Sequence, residues 1–510
     1  MLQNPFKEHK SLITVIFLGG IFLFFTTYGG LTATPKFWHD EAVPFEIARN
    51  LAEFDKADIA VAPGIFWEQS YMTHATGFPL IFPLAGVFKI FGVGVLQSRL
   101  FMVAWMIVAL ATLFFVMRAF FDKKTAFFSV LLVATFSSFY ANGRTGTGEI
   151  PGFFFLLLAL YFLYQKKWHG LGGFFAALAA VTKPSMYLFV LPVFMLEILF
   201  TKKSVKRFFC EEGLRFIIGA LPILLFWIWL INPSPFSIAN WREMIAFYQN
   251  AFNAPSLLSQ FPAILPELLT HSTLLYFFLL FLPIFIAWRK HLFSSAQNRL
   301  VLFLFFYGAL SFFYFLRSPG WFRYLLGTEL LILALLPAAL EKTAESIFTF
   351  LASPASWLEG SPSLSRFART MPARARKPVK MLSAVFFAIA FSQSLQYLFF
   401  AEIPSDTKSI AIAQFINKEI LANDPYAAIG IVDYAPVAAL IAADRKIQRM
   451  RVGNDAIVGI HPLSLLPDQM PAYLINIKKG DPYEQARNIY YKTTLFGPFQ
   501  IPIYQKTPLQ

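Results

Sequence analysis

Apolar runs of 14 to 21 residues recur from near the start of this chain to about residue 400. Most are near the roughly twenty needed to cross the hydrocarbon of a bilayer as a helix, and several are short or separated only by a proline or a charge. They fall near 11–30, 98–118, 124–142, 150–165, 170–183, 185–200, 213–231, 271–288, 299–316, 321–340 and 380–400. A water-soluble core cannot absorb so many uninterrupted apolar segments. The runs therefore predict a polytopic α-helical membrane protein with about 11 transmembrane helices. Composition agrees, because 57% of the 510 residues are hydrophobic and only 14% charged, too few to cover a soluble surface. The first run lacks a small-residue cleavage site and reads as a span rather than a signal peptide.

A net charge of +14 suggests nucleic acid at first sight, but the placement of the charges argues against it. The basic residues sit in short clusters between apolar runs, the pattern that sets membrane orientation. With Lys7 and Lys10 in the cytoplasm, the predicted inner loops carry Arg118, Lys123 and Lys124; Lys166 and Lys167; Lys202, Lys203, Lys206 and Arg207; and Arg289 and Lys290. The last inner loop, 341–379, adds Arg366, Arg369, Arg374, Arg376 and Lys377. All fall on one side. The single cysteine, Cys210, excludes an intramolecular disulfide and a cysteine metal cluster, and leaves the redox compartment unread.

Three segments are then left outside. The loop 31–97 holds an amphipathic stretch (Phe45, Ile47, Ala48, Leu51, Phe54) that suits a helix lying on the membrane surface. The loop 232–270 is the second. The third, 402–510, is no longer lipid-like: Ser409–Ile420 and Pro436–Ala443 read as helices, and Ala428–Val432, Tyr473–Ile477 and Phe499–Tyr504 as strands. The expected division is a transmembrane domain over 1–401 and a small extracytoplasmic α/β domain over 402–510. Asp433 and Asp444 in that tail read as turn or surface residues.

Chemistry-bearing residues gather on the outer side. Trp38-His39-Asp40-Glu41 follows the first span directly. A second acid, Glu149, stands behind Asn142-Gly143-Arg144-Thr145-Gly146-Thr147-Gly148, a stretch that reads either as a turn or as a loop whose N–H groups approach a phosphate. Arg99, Arg144, Lys183 and Arg323 lie near the outer ends of spans, against the charge bias that orients the chain. For any one of them, snorkelling to the interface is the plainer reading. For four beside the acids, an anion site is an equal one. His39 and His74 share that face, as metal ligands or as ordinary surface residues.

In order and topology these pieces resemble the GT-C glycosyltransferases that use polyprenyl-phosphate sugars, among them protein O-mannosyltransferases and aminoarabinose transferases. The resemblance is carried by Asp40-Glu41 after the first span, then His74-Ala75-Thr76-Gly77-Phe78-Pro79-Leu80, Phe88-Lys89-Ile90-Phe91-Gly92 and Ser98-Arg99-Leu100. Arg144, Glu149, Thr182-Lys183-Pro184 and Arg323-Tyr324 follow at matching places. There are departures. Gly77-Phe78-Pro79 stands where the family usually has two prolines, Val43-Pro44 follows the acidic pair, and the second acid is Glu instead of Asp.

The resemblance implies an inverting glycosyltransferase, hexosyl or pentosyl, in a bacterial plasma (inner) membrane. It implies a polyprenyl-phosphate sugar donor and a lipid, glycan or protein acceptor, with no nucleic acid. Asp40 would be the base, with Glu41 or Glu149 orienting the acceptor or helping with a metal. Arg144, Lys183, Arg323, Arg99 and His74 would bind the donor phosphate, a leaving group good enough to need no general acid. No protein metal site is assigned, and a divalent ion is the one cofactor left open, since some members use one and others do not. A transporter or flippase for a lipid-linked substrate is the main rival, and a structural subunit the third reading. Against transport, the charges cluster at one face instead of the midplane, and no internal repeat is visible.

Overall fold

The computed structural model describes residues 5–62, 65–66, 76–202, 212–249 except 233 and 235, 266, 270–317, 322–352 and 378–401. In the last hundred residues it describes 403, 408–420, 422, 429–432, 436–441, 447–449, 473–476, 490–496 and 501–506. His74, Asp433, Asp444, Cys210 and most of the expected basic stretch after residue 352 lie outside the described residues.

The chain begins with α1 (Pro5–Thr27), then α2 (His39–Phe54), a short hairpin of β1 (Ala60–Ala62) and β2 (Ile65–Phe66), and α3 (Phe78–Phe91). The bundle continues through α4 (Val95–Phe120), α5 (Lys123–Ala134), α6 (Ser137–Gly143) and α7 (Glu149–Leu160), which runs on in a π-helical turn to Lys166. Next come α8 (His169–Thr182), α9 (Pro184–Tyr187), α10 (Val190–Lys202), α11 (Gly213–Ile231), α12 (Ile238–Gln249), α13 (Ser272–Arg289) and α14 (Ser295–Arg317). A 3-10 turn, Phe322–Leu325, leads into α15 (Leu326–Ala352), and α16 (Pro378–Leu395) closes the bundle. The protein is a polytopic helical membrane protein.

Each of the eleven apolar runs is helical over most of its length. Six helices among the described residues are long and apolar enough to cross a membrane unaided, or seven if α5 and α6, bent by 66° at Phe136, count as one. That is fewer than the eleven crossings expected. The shortfall has local causes: Pro184 ends α8 because it offers no N–H and crowds the preceding turn, and the chain bends between α5 and α6. Other apolar helices are therefore short pieces, such as His169–Thr182 and Pro184–Phe200. The expected inner stretch 341–379 opens as helix, because α15 continues to Ala352.

Inside the bilayer, burial from water does not drive helices together, so close backbone packing must. Helices α8 and α11 show it: a Cβ on Gly219 would stand 1.9 Å from the carbonyl oxygen of Gly170. Ion pairs, one partly exposed and one with its carboxylate buried, tie the end of the bundle away from α2. Lys124 reaches Glu341 at 3.1 Å, and Arg299 forks onto Glu197 at 2.7 and 2.9 Å while lying over the Tyr164 ring.

Outside the bundle a second apolar cluster forms from Phe37, Phe45, Ile47, Ile81, Leu84 and Phe88. Here the hydrophobic effect operates, and a fully buried Phe or Ile contributes about 1.5–3 kcal/mol. This corrects one expectation: α2 does not lie bare on the membrane surface. It is sandwiched between α3 and the C-terminal segment, whose Ala439 belongs to the same cluster.

That segment contains α17 (Lys408–Phe415) and α18 (Pro436–Leu440), with β3 (Ile429–Val432), β4 (Ile447–Arg449), β5 (Tyr473–Asn476), β6 (Tyr490–Phe496) and β7 (Ile501–Lys506). The strands form one mixed sheet of order β4-β3-β5-β7-β6, parallel among β4, β3 and β5 and antiparallel beyond. Strands β4 and β6 were not anticipated. β4 is only three residues long, and Tyr490–Phe496 mixes polar and apolar side chains without clean alternation.

Candidate active site

The site is built where the first turn of α2, the glycine-rich turn before α7, and the break between α8 and α9 meet. Asp40 and Glu41 sit in the first turn of α2, where carboxylates complement the helix dipole. Pro44 follows in the same helix and cannot donate to the Asp40 carbonyl. The first turn is therefore joined less firmly to the helix body and depends on tertiary contacts for its position.

Gly148 has φ +91°, a conformation open to glycine at little cost. It lets the chain turn sharply into α7 with Glu149 as its first residue. A Cβ there would also lie 2.8 Å from the Thr182 carbonyl oxygen. Gly77 approaches the same break: its N–H donates to the Thr182 carbonyl at 3.1 Å, and a Cβ would stand 1.9 Å from the Val181 carbonyl oxygen. Thr76 Oγ1 donates to the Thr147 carbonyl at 3.2 Å. Three loops thus converge on Lys183, and side chains would push them apart.

At this meeting point Lys183 Nζ lies 3.8 Å from Glu149 Oε1, with both side chains buried. The Glu149 carboxylate accepts no hydrogen bond among the described residues, while the Glu149 carbonyl accepts from the Tyr187 hydroxyl at 2.8 Å. Arg323, from the 3-10 turn before α15, forms an ion pair with Asp40 through Nη2 and Oδ2. Its guanidinium lies over the Trp38 ring at 4.7 Å and the Tyr324 ring at 5.4 Å. Burial pushes the Asp40 carboxyl up, but Arg323 and then Lys183 outweigh it and hold Asp40 below its ordinary value. Asp40 is therefore an ionised carboxylate, still partly exposed (23%). Two acids and two bases from four segments share one locality.

Glu41 is placed differently from its neighbour. It is fully buried, and Oε2 accepts from Arg99 Nη2 at 2.6 Å. The same Arg99 nitrogen donates to the Pro35 carbonyl at 3.0 Å. Oε1 of Glu41 accepts from the Gly146 N–H at 3.3 Å, so this amide of the glycine-rich stretch serves a carboxylate of the protein. Burial pushes the Glu41 carboxyl up to about 7, against the pull of Arg99 and of the Gly146 N–H.

Arg144 is likewise committed to the fold. Nη1 donates to the carbonyls of Thr26 at 3.1 Å and Tyr28 at 3.0 Å, Nη2 to the Tyr397 hydroxyl at 3.2 Å, and Nε to the Tyr140 carbonyl at 3.3 Å. It pins the end of α1 and the π-helical turn after α16 to α6. Of the sequence candidates, Asp40, Glu149, Lys183 and Arg323 come together, whereas Glu41 pairs with Arg99 and Arg144 serves the backbone. Trp38 and Tyr187 were not anticipated. The first could have been suspected from its place two residues before Asp40, but the second had no signal. No group of three metal-ligating side chains forms among the described residues.

Residues 78–231 match the family model described as dolichyl-phosphate-mannose-protein mannosyltransferase. Among solved structures the fold is similar to ArnT from Cupriavidus metallidurans bound to undecaprenyl phosphate, with a TM-score of 0.62 and 13% identity over 98% of both chains. The apo state of that protein matches with a TM-score of 0.61 and 15% identity, again over 98% of each. The oligosaccharyltransferase AglB from Archaeoglobus fulgidus, in complex with an inhibitory peptide and a dolichol-phosphate, gives a TM-score of 0.53 at 11% identity over 99% of this chain and 75% of that one. A search of curated proteins finds no significant match in sequence. The family-model match over 78–231 and the likeness in fold agree with the resemblance to GT-C glycosyltransferases carried by the sequence.

Proposed function

We propose that the protein transfers a sugar from a polyprenyl-phosphate donor to a lipid, glycan or protein acceptor on the non-cytoplasmic side of a bacterial inner membrane. The observation that carries this reading is the convergence of Asp40, Arg323, Lys183 and Glu149 at one end of the bundle. The arrangement supplies what a displacement at the anomeric carbon requires. Asp40 takes the proton from the acceptor group as its oxygen or nitrogen bonds to the sugar carbon. The bond from that carbon to the phosphate oxygen breaks, its electron pair goes to the phosphate, and one displacement inverts the centre. Lys183 and Arg323 neutralise the charge that grows on the phosphate. Glu149, buried beside Lys183, orients the acceptor or the sugar.

In this reading the incoming phosphate draws Arg323 away from Asp40, and the freed carboxylate becomes a stronger base as the donor binds. Arg99 and Arg144 hold the scaffold, and Glu41 anchors the first turn of α2 instead of touching substrate. A divalent ion finds no three-ligand set among the described residues, and no step needs one. The basic clusters at the opposite end, where Lys124 and Arg299 lie, support the orientation with α2 outside. The division into a transmembrane domain over 1–401 and an extracytoplasmic domain over 402–510 belongs to the same proposal, with 341–379 on the cytoplasmic side.

The test is release of lipid phosphate by purified protein in nanodiscs. Undecaprenyl-phosphate mannose and envelope extract should yield free undecaprenyl phosphate and a mannosylated acceptor. Movement of intact donor across the bilayer with no release would identify a flippase instead.

A further inference from the structure

The helix that opens with Asp40 and Glu41 is gripped at its other end by the C-terminal segment. Nine positions after Asp40, roughly 14 Å along a helix that rises about 1.5 Å per residue, Arg49 is buried at 3% exposure. Its Nη1 donates to two backbone carbonyls, Ala439 at 2.7 Å and Ile441 at 2.9 Å. Its Nε and Nη2 donate to Asn50 Oδ1 at 3.3 and 3.2 Å, and Nη2 lies 3.7 Å from Glu46. Asn50 passes the contact on to the Asp58 carbonyl at 2.7 Å, and Glu46 accepts from the Ala60 N–H at 3.3 Å. One guanidinium thus gathers α2, the approach to β1 and the end of α18. Strand β1 lies alongside β4, an edge strand of the C-terminal sheet.

The two carbonyls come from the end of α18, where a helix has no N–H partners of its own and where a cation complements the dipole. Apolar contacts alone, such as those of the cluster that Ala439 shares with Phe45 and Ile47, would allow sliding and rotation. Directional bonds from a planar fork define one position and one rotation. The first turn of α2 meets Arg99 and Arg323, and Pro44 leaves that turn some slack. The body of the helix takes its register from the C-terminal segment.

We infer that Arg49 is a positioning residue through which the C-terminal segment sets the attitude of α2, and so the placement of Asp40. This rests on the reading of Asp40 as the transferase base. A base displaced by an ångström loses rate far more than it loses donor affinity, because donor contacts come from Lys183 and Arg323 on other elements. The C-terminal segment is therefore part of the catalytic geometry, and whatever docks on it is coupled to α2.

The experiment uses the full chain in nanodiscs, with undecaprenyl-phosphate mannose as donor and active enzyme normalised by undecaprenyl phosphate binding. Arg49→Ala should lower kcat about tenfold or more and leave KM for the donor within about twofold. Hydrogen exchange should rise across both 39–54 and 436–441, and Arg49→Lys, which keeps one donor direction, should recover part of both effects. Unchanged kcat with unchanged exchange overturns the inference, as does a kcat loss matched by an equal rise in KM. If Arg49→Ala does not fold, the same comparison is made on Arg49→Lys, with the same overturning result. If the wild type releases no lipid phosphate, the transferase reading fails while exchange still decides the clamp: joint loosening of the two segments supports it, and none removes it.

Discussion

Arg323 reaches Asp40 across 283 positions of sequence, and the pair is formed against the ring of Trp38. A base already bound to a cation is a restrained base. The pairing keeps Asp40 ionised in a largely buried place, and in the proposed mechanism it yields when a phosphate competes for the guanidinium.

Asp40→Asn removes the proton acceptor and keeps the size of the side chain. Sugar transfer should fall by about 10²–10⁴-fold, the usual contribution of a positioned base, with membrane insertion and undecaprenyl phosphate binding retained. Turnover of purified variant at the wild-type rate would remove Asp40 from the mechanism.

The pH profile follows from the pairing. The Asp40 pKa is depressed in the fold, so its contribution to stability is present above the unfolded value of about 3.9 and lost as pH falls through the lower folded value. Activity needs the ionised form and should persist on the acidic side down to the same low range. In Arg323→Gln the effect of burial is less opposed, Asp40 moves up, and the acid limb of kcat/KM, which reports the free enzyme in which the two are paired, should shift toward neutral pH. An acid limb that stays in place would separate Asp40 from the rate.

Lys183→Met should weaken undecaprenyl phosphate binding about 10–100-fold, the equivalent of losing one hydrogen bond to a charged group, and Lys183→Arg should restore part of it. Because Glu149 loses its cation in the first variant, the thermal midpoint should fall as well, and pairing Lys183→Met with Glu149→Gln should recover it. Donor affinity that recovers along with stability in the double variant would assign Lys183 to the fold alone.

Glu41 is predicted to behave as an anchor. Its carboxyl sits at about 7 in the fold against about 4.3 when free, so between these values the folded protein binds the extra proton. Stability then falls as pH rises through that window. Glu41→Gln should be nearly neutral at about pH 5, where the native side chain is protonated in the fold, and should be the more stable form by roughly 3–4 kcal/mol above about pH 7, because the amide does not ionise in the buried site. Chemical denaturation in detergent at the two pH values measures the difference.

Gly148→Val places a branched side chain at a positive φ and against the Thr182 carbonyl. A cost of at least about 1–3 kcal/mol is expected from the backbone strain, together with loss of undecaprenyl phosphate binding as Lys183 is displaced. Binding that survives a clear drop in melting temperature would mean the glycine-rich turn does not position Lys183.

Sequence alone determined that the chain lies in a membrane, because apolar length is a local property that no distant contact can reverse. It also picked out Asp40, Glu149, Lys183 and Arg323, since charges at the ends of apolar runs are costly and stand out against hydrocarbon. What only the tertiary structure decided was which charges meet. Asp40 and Glu41 are adjacent on one helix, yet the first faces Arg323 and the second is sealed against Arg99, because successive residues of a helix point about 100° apart. Arg144 looked like an anion ligand until the fold turned it onto backbone carbonyls. Arg49 gave no signal, because an arginine in an amphipathic stretch resembles a solvated one until Ala439 and Ile441 arrive from 390 residues away. Contacts between distant segments depend on how every helix packs, and hydropathy records none of that.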